Sequence, residues 1–159
     1  MEQNPDLTVE KAPYSVESTS IRYGLYTTGG LIAYFLIMKL FGLVHVIELR
    51  ALNMVILVGG ILMALRYFKK KNEVIEYLQG IGLGLLTSAV AVVTFALFVF
   101  IYLQIDGDFL MVIKQKESFG EYMNPYILAF VVALEGIASG FIATFVIMQY
   151  LKRQHLTNK

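Results

Sequence analysis

Residues 77–105 form a run of 29 amino acids without one charged side chain. As a helix rising 1.5 Å per residue, this run is about 44 Å long, more than the roughly 30 Å hydrocarbon core of a bilayer. A buried helix of a water-soluble domain is rarely so long, and a surface helix needs a polar face. The composition points the same way. Hydrophobic residues make up 57% of the 159-residue chain and charged residues 16%, against roughly 25% charged in an average globular protein. The solvent that fits is lipid, which excludes disorder, collagen-like repeats and most water-soluble enzyme folds. There is no cysteine, hence no disulfide framework, thiolate metal site or cysteine nucleophile. A net charge of +1 offers no basic face to a nucleic acid.

The remaining spans follow from the placement of charges. Residues 1–21 are polar, contain Pro5 and Pro13, and are expected to be a flexible cytoplasmic tail. They lack the basic start and short apolar run of a cleaved secretory signal, so the first span is expected to stay in the membrane. The membrane domain is placed at residues 22–153, with spans at about 23–44, 51–68, 78–104 and 126–151. A short basic tail, residues 154–159, closes the chain. The second span is the shortest and crosses only if Arg50 and Arg66 snorkel to the headgroups. The expected fold is therefore all-α, a four-span transmembrane helical bundle in which each span satisfies its own backbone hydrogen bonds.

Lys and Arg set the orientation. Lys11, Arg22, Arg66, Lys69, Lys70, Lys71, Lys152, Arg153 and Lys159 fall on one side, and Arg50, Lys114 and Lys116 on the other. Both termini are accordingly expected in the cytoplasm. Residues 45–50 read as a tight hairpin containing His45, and residues 69–77 as a short basic loop. The outer loop of residues 105–125 contains the apolar run Phe109 to Ile113 followed by Lys114 and Lys116. That pattern fits a segment lying on the membrane surface, or an extension of the third helix that breaks at Gly107.

Lipid provides no hydrophobic drive between helices, so packing depends on small residues that let backbones approach. Gly80, Gly84, Thr87, Ser88, Ala91 and Thr94 make such a stripe on the third span; Gly136, Gly140 and Thr144 make one on the fourth. Either the two stripes face each other within one bundle, or Gly136 and Gly140 form a dimer seam.

Glu135 carries the sharpest expectation. It lies about ten residues into the fourth span, where a carboxylate costs a few kcal/mol. Lys39, about six residues from the outer end of the first span, differs from it in expected depth by about 5 Å. The two are candidates for an intramembrane polar pair, acting as a proton or cation relay or as a device fixing which helices are neighbours. A third reading has Glu135 protonated and hydrogen-bonded to Ser139 or Tyr34.

Other patterns are weaker. Asp106-Gly107-Asp108 has two acids at calcium-loop spacing but no third in register, and reads as a solvated turn. Gly80-x-Gly82-x-Gly84 opens a membrane helix rather than following a strand, so it is a packing feature and not a nucleotide loop. His45 and His155 stand alone at helix ends. Arg66, Lys69, Lys70 and Lys71 are a topology signal with added attraction to anionic headgroups. No catalytic constellation is present, and neither a cofactor nor an enzymatic activity is expected.

The basic loop RYFKKKN leading into EYLQGIGLGLLTSAVAVVTFALFVFIY, and the closing span EGIASGFIATFVIMQYLKRQ, resemble the uncharacterised bacterial membrane proteins grouped as domain of unknown function 4199. The likeness covers most of residues 22–153. Where that family often has a proline-containing step after its third span, this chain has Asp106-Gly107-Asp108. The resemblance implies a multi-pass inner-membrane protein and brings no known activity, ligand or catalytic residue. The expected role is a non-enzymatic accessory or scaffold component, embedded in the bilayer and packing with itself or another membrane protein. The competing expectation is a small transporter or channel subunit using Glu135. A wet cavity around Glu135 favours transport; tight apolar packing favours the scaffold.

Overall fold

The computed structural model describes residues 15–42, 47–72, 75–116 and 120–157. Five helices account for nearly all of them: α1 (Val16–Leu40), α2 (Ile47–Asn72), α3 (Tyr77–Ile105), α4 (Gly107–Lys116) and α5 (Pro125–Thr157), with a 3-10 turn at Gly120–Tyr122. The fold is all-α, with no strand among the described residues. Leu52–Asn72, Tyr77–Ile105 and Pro125–Leu151 are long and apolar enough to cross a membrane. At 25 residues α1 has the length, but Gly24, Thr27, Thr28, Gly29 and Gly30 dilute its hydropathy.

Local chemistry sets the helix ends. Ser15 caps α1, its Oγ accepting from the Ser18 N–H at 3.1 Å, and Glu17 sits in the positive first turn. The helix therefore starts inside the segment expected to be a tail. It stops before Gly42, whose φ of +66° lies in the left-handed region that favours glycine, and whose N–H reaches the Lys39 carbonyl at 2.9 Å. The first helix is thus shorter at this end than the expected limit of residue 44. His45 and most of the expected hairpin lie outside the described residues. At the other terminus α5 runs to Thr157, past the expected boundary of the span.

Between α3 and Gly107, Asp106 leaves the helical conformation (φ −105°, ψ 79°) and caps α4, its Oδ1 accepting from the Phe109 N–H at 3.0 Å. The break falls at Asp106 rather than Gly107. Phe109, Leu110 and Ile113 then pack on a cluster of Leu31, Phe95, Val99 and Leu103. The apolar run of the outer loop is a helix of its own, turned toward the bundle while Met111 and Val112 remain exposed.

α3 is the axis of the bundle. On one side runs α1, parallel and in fixed register: Ser20 Oγ donates to the Leu83 carbonyl at 3.2 Å, Thr28 Oγ1 to the Ala91 carbonyl at 3.3 Å, and Lys39 Nζ to the Tyr102 hydroxyl, each at a sequence offset of 63. On the other side runs α5, antiparallel. A methyl group at Gly84 would stand 2.5 Å from Thr144 Cγ2, one at Gly140 2.5 Å from Ser88 Cβ, and one at Gly136 2.7 Å from Val92 Cγ2. A methyl at Gly80 would collide with Met148. Each four-residue step along α3 is thus answered by a four-residue step back along α5. The glycines of both stripes face each other within the chain, where their missing side chains admit a neighbouring helix.

α2 packs over this layer through Leu57, Ile61, Ala64, Leu65 and Phe68, which meet Leu83 and Val92 of α3 and Ala143, Ile147 and Met148 of α5. Gly60 lies against Thr27 of α1. The bundle is accordingly solid at the end where α1 and α3 begin and α2 and α5 finish.

Gly140→Val is expected to force α3 and α5 apart at Ser88, an overpacking cost of about 1–3 kcal/mol, and to lower the melting temperature in detergent by several degrees. Gly82 has nothing within 4 Å, so Gly82→Ala should leave it unchanged or raise it slightly. Equal melting temperatures for Gly140→Val and the parent chain would contradict the seam.

Candidate functional site

At the other end the helices do not close. A cleft of about 650 Å³ opens there, walled by all five helices. Leu31 and Phe35 of α1, Phe95 and Val99 of α3, and Leu128 and Val132 of α5 make most of its surface apolar. The cause is partly the residues that pack there. Phe35 meets Phe95, Phe98, Tyr102 and Phe109 edge to face, with centroids 5.3 to 6.4 Å apart. Rings of this size hold helices apart where serine, threonine and glycine at the closed end let them approach.

The mouth is polar. Lys39, in the last turn of α1, forms an ion pair with Asp106 Oδ2 and a hydrogen bond with the Tyr102 hydroxyl. That hydroxyl lies 3.2 Å from the same carboxylate oxygen and donates to it. The Lys39 Nζ also stands 5.8 Å from the centre of the Phe109 ring, within cation–π range. One aspartate therefore ties together the end of α1, the end of α3 and the start of α4. The Lys39 ammonium, with the Phe109 N–H behind it, holds the Asp106 carboxyl below the usual aspartate range. Asp108, one residue into α4, lines the cleft as well.

Deeper in, the wall carries Asn53 of α2 and Glu135 and Ser139 of α5. The Asn53 side-chain oxygen is buried and has no hydrogen-bond partner among the described residues. Gly136 meets Val92, and Val92 precedes Asp106 by about 21 Å of helical rise. The cleft consequently reaches from the mouth to the middle of the bundle.

This geometry redraws the polar pair expected from the sequence. Lys39 and Glu135 line one cleft, but the carboxylate paired with Lys39 is Asp106. Lys39 stands level with Tyr102, and Glu135, beside Gly136, about level with Val92. Ten residues of α3, about 15 Å, separate those levels, where about 5 Å was expected. Two causes add up: α1 ends at Leu40, which carries Lys39 to the rim, and the α3–α5 register holds Glu135 deep. In the sequence Asp106 reads as part of a solvated turn. An Asp followed by an apolar run after a span is an N-cap signature, but nothing in the sequence reveals the register that brings Lys39 to it.

The remaining candidates lie elsewhere. Gly80, Gly84 and Gly140 belong to the α3–α5 seam, and Gly136 reaches from that seam into the inner wall of the cleft. Arg66, Lys69, Lys70 and Lys71 occupy the last turns of α2 at the closed end, where cations oppose the helix dipole. Among the described residues no group of three His, Asp or Glu side chains is placed to hold a metal ion.

Residues 22–153 match a family described as protein of unknown function (DUF4199). The chain belongs to that family. The matched region runs from the first turns of α1 to the end of the apolar part of α5, so the bundle, the cleft and the mouth are all DUF4199 structure. No curated protein and no solved structure matches the chain.

Because the Asp106 carboxyl titrates lower folded than unfolded, its contribution is present at neutral pH and lost as pH falls below about 4. Asp106→Asn should lower the melting temperature at pH 7 and flatten its decline between about pH 5 and pH 3. Parallel pH profiles for the two proteins would show that the carboxylate contributes nothing there.

Proposed function

We propose that the chain is a four-span protein of the bacterial cytoplasmic membrane, with both termini in the cytoplasm, that takes a small molecule into its cleft. It acts as a carrier or a carrier subunit, without covalent chemistry. The observation that carries this reading is the cleft itself: space for a ligand, reaching mid-bundle, with a carboxyl group on its inner wall. Pockets of about 300–1,000 Å³ with apolar walls and a few polar groups are typical of small-molecule sites.

A fourth span is supported by the constant register of α1 on α3 from Ser20 to Lys39. A helix that keeps pace with its neighbour over that length shares the neighbour's depth in the bilayer. Orientation rests on Arg66, Lys69, Lys70 and Lys71 at the closed end. The cleft accordingly faces outward, and the closed end is the cytoplasmic gate of a one-sided site. A scaffold built on a Gly136–Gly140 dimer seam is less well supported, because those glycines are covered within the chain by Val92 and Ser88.

The absence of cysteine makes the test direct. Ser139→Cys, on the cleft wall, should react with a membrane-impermeant methanethiosulfonate added to the outer face. Thr144→Cys, fully buried one turn nearer the closed end, should stay unlabelled. An inert Ser139→Cys would refute a water-filled cleft, and labelling from the cytoplasmic face alone would reverse the orientation.

A further inference from the structure

Granting the ligand site just proposed, its lining specifies what enters. The charged side chains of the cleft among the described residues are Lys39, Asp106, Asp108 and Glu135. Lys39 and Asp106 answer each other, with the Tyr102 hydroxyl bonded to both. Glu135 is likewise engaged within the protein, and Asp108 is exposed at the mouth, in the first turn of α4, where the helix dipole favours an acid. An ionic guest would therefore have to take a partner from a charge already satisfied, or leave water without gaining one.

Hydrocarbon meets no such obstacle. Leu31, Phe35, Phe95, Val99, Leu128 and Val132 line the cleft, and its rings are packed on one another: Phe35 stands edge to face with Phe95 and Phe109, and Phe95 stacks on Phe98. What remains toward the cleft is an apolar surface to which a guest adheres by dispersion and by leaving water. The polar atoms left to orient it are neutral, since Asn53 of α2 and Ser139 of α5 share the inner wall. The Asn53 side-chain oxygen is shut off from water and has no hydrogen-bond partner among the described residues, an arrangement that folded proteins rarely keep. The carboxamide swings on a soft terminal torsion, so a donor entering the cleft can meet that oxygen. We infer that the cleft selects an uncharged amphiphile: a hydrocarbon body carrying one neutral hydrogen-bond donor, a hydroxyl or an amide. The Asn53 oxygen accepts from the donor on the inner wall while the hydrocarbon lies along the apolar residues.

Ligands of one chain length separate this inference from that of a merely apolar cavity: decanol, methyl nonyl ether, decylammonium and decanoate. With the full chain in nanodiscs, a diazirine-bearing decanol should label the α5 residues of the cleft saturably on illumination, and decanol should compete it away. At equal concentration in the bilayer the ether, which keeps the shape and the oxygen but has no donor, should compete about fivefold more weakly. Both ions should compete more weakly still, by about tenfold or more. Asn53→Leu removes the acceptor at nearly constant volume and, by removing an orphaned amide oxygen, should leave the melting temperature unchanged or higher; in it the alcohol and the ether should compete equally. Asn53→Ala makes the same comparison if the leucine variant misfolds. Equal competition by alcohol and ether in the parent chain, an alcohol preference that survives both variants, or stronger competition by either ion would overturn the inference. If Ser139→Cys reacts and decanol labels nothing saturably, the ligand class fails while the cleft stands; an inert Ser139→Cys removes the cleft and the inference together.

Discussion

The close approach of α3 to its two neighbours is the constraint on which the bundle depends. In water, burial of apolar surface would hold three such helices together with almost any hydrophobic residues. In lipid that term vanishes, and what remains is dispersion between closely fitted backbones and the hydrogen bonds that such closeness allows. α3 meets the requirement on two sides at once. Toward α1 it presents Thr87 and Ala91, and receives hydroxyl donations from Ser20 and Thr28. Toward α5 it presents Gly80, Gly84 and Ser88, against Met148, Thr144 and Gly140. The hydroxyls of Thr87, Ser88 and Thr144 donate to carbonyls of their own helices at 2.7 to 2.9 Å, so each is satisfied without water.

A rigid axis of this kind explains why one end of the molecule is solid and the other hollow. At the closed end small residues bring α1 and α5 tight against α3, and α2 fills the remaining groove with Ile61, Leu65 and Phe68. Toward the other end the residues on α1 and α3 change from Ser, Thr and Gly to Phe and Leu. Here α2 contributes Asn53, Met54 and Leu57 to a wall. α4 folds back over the opening because Asp106 breaks α3 and starts the new helix in one residue. The Lys39 ion pair fixes that corner to α1.

Much of this was legible in the sequence. The uncharged run of α3 announces a membrane helix, and the glycine spacing on α3 and α5 is visible as a pattern without any coordinates. The stripe on α1 was harder to see. Ser20, Gly24, Thr27 and Thr28 are as small as the others, but a polar stretch beside Arg22 resembles a helix end more than an interface. The mouth was illegible for a different reason. Lys39 and Asp106 are 67 residues apart, and their meeting depends on a register that hydropathy does not encode. An error of about four residues in the end of α1 moved Lys39 by a full turn, enough to exchange one carboxylate partner for another.

The distribution of residues around α5 gives the cleft its strongest physical rationale. One face carries Gly136, Gly140 and Thr144 and is covered by α3. A second carries Phe130, Leu134, Ile137 and Phe141, all more than half exposed, as a lipid-facing surface should be. Glu135 and Ser139 belong to neither; they lie on the third face, toward the cleft. A carboxyl group placed at this depth against lipid costs about 2.5–3.5 kcal/mol even on the most lenient scale, and nothing in the α3–α5 seam requires it. A wall that water can reach removes much of that cost, since a carboxyl there keeps part of its hydration. The polar side of α5 and the open end of the bundle therefore belong together: Glu135 and Ser139 face the cleft and not lipid, and the helix keeps its apolar side chains for the surface that meets hydrocarbon.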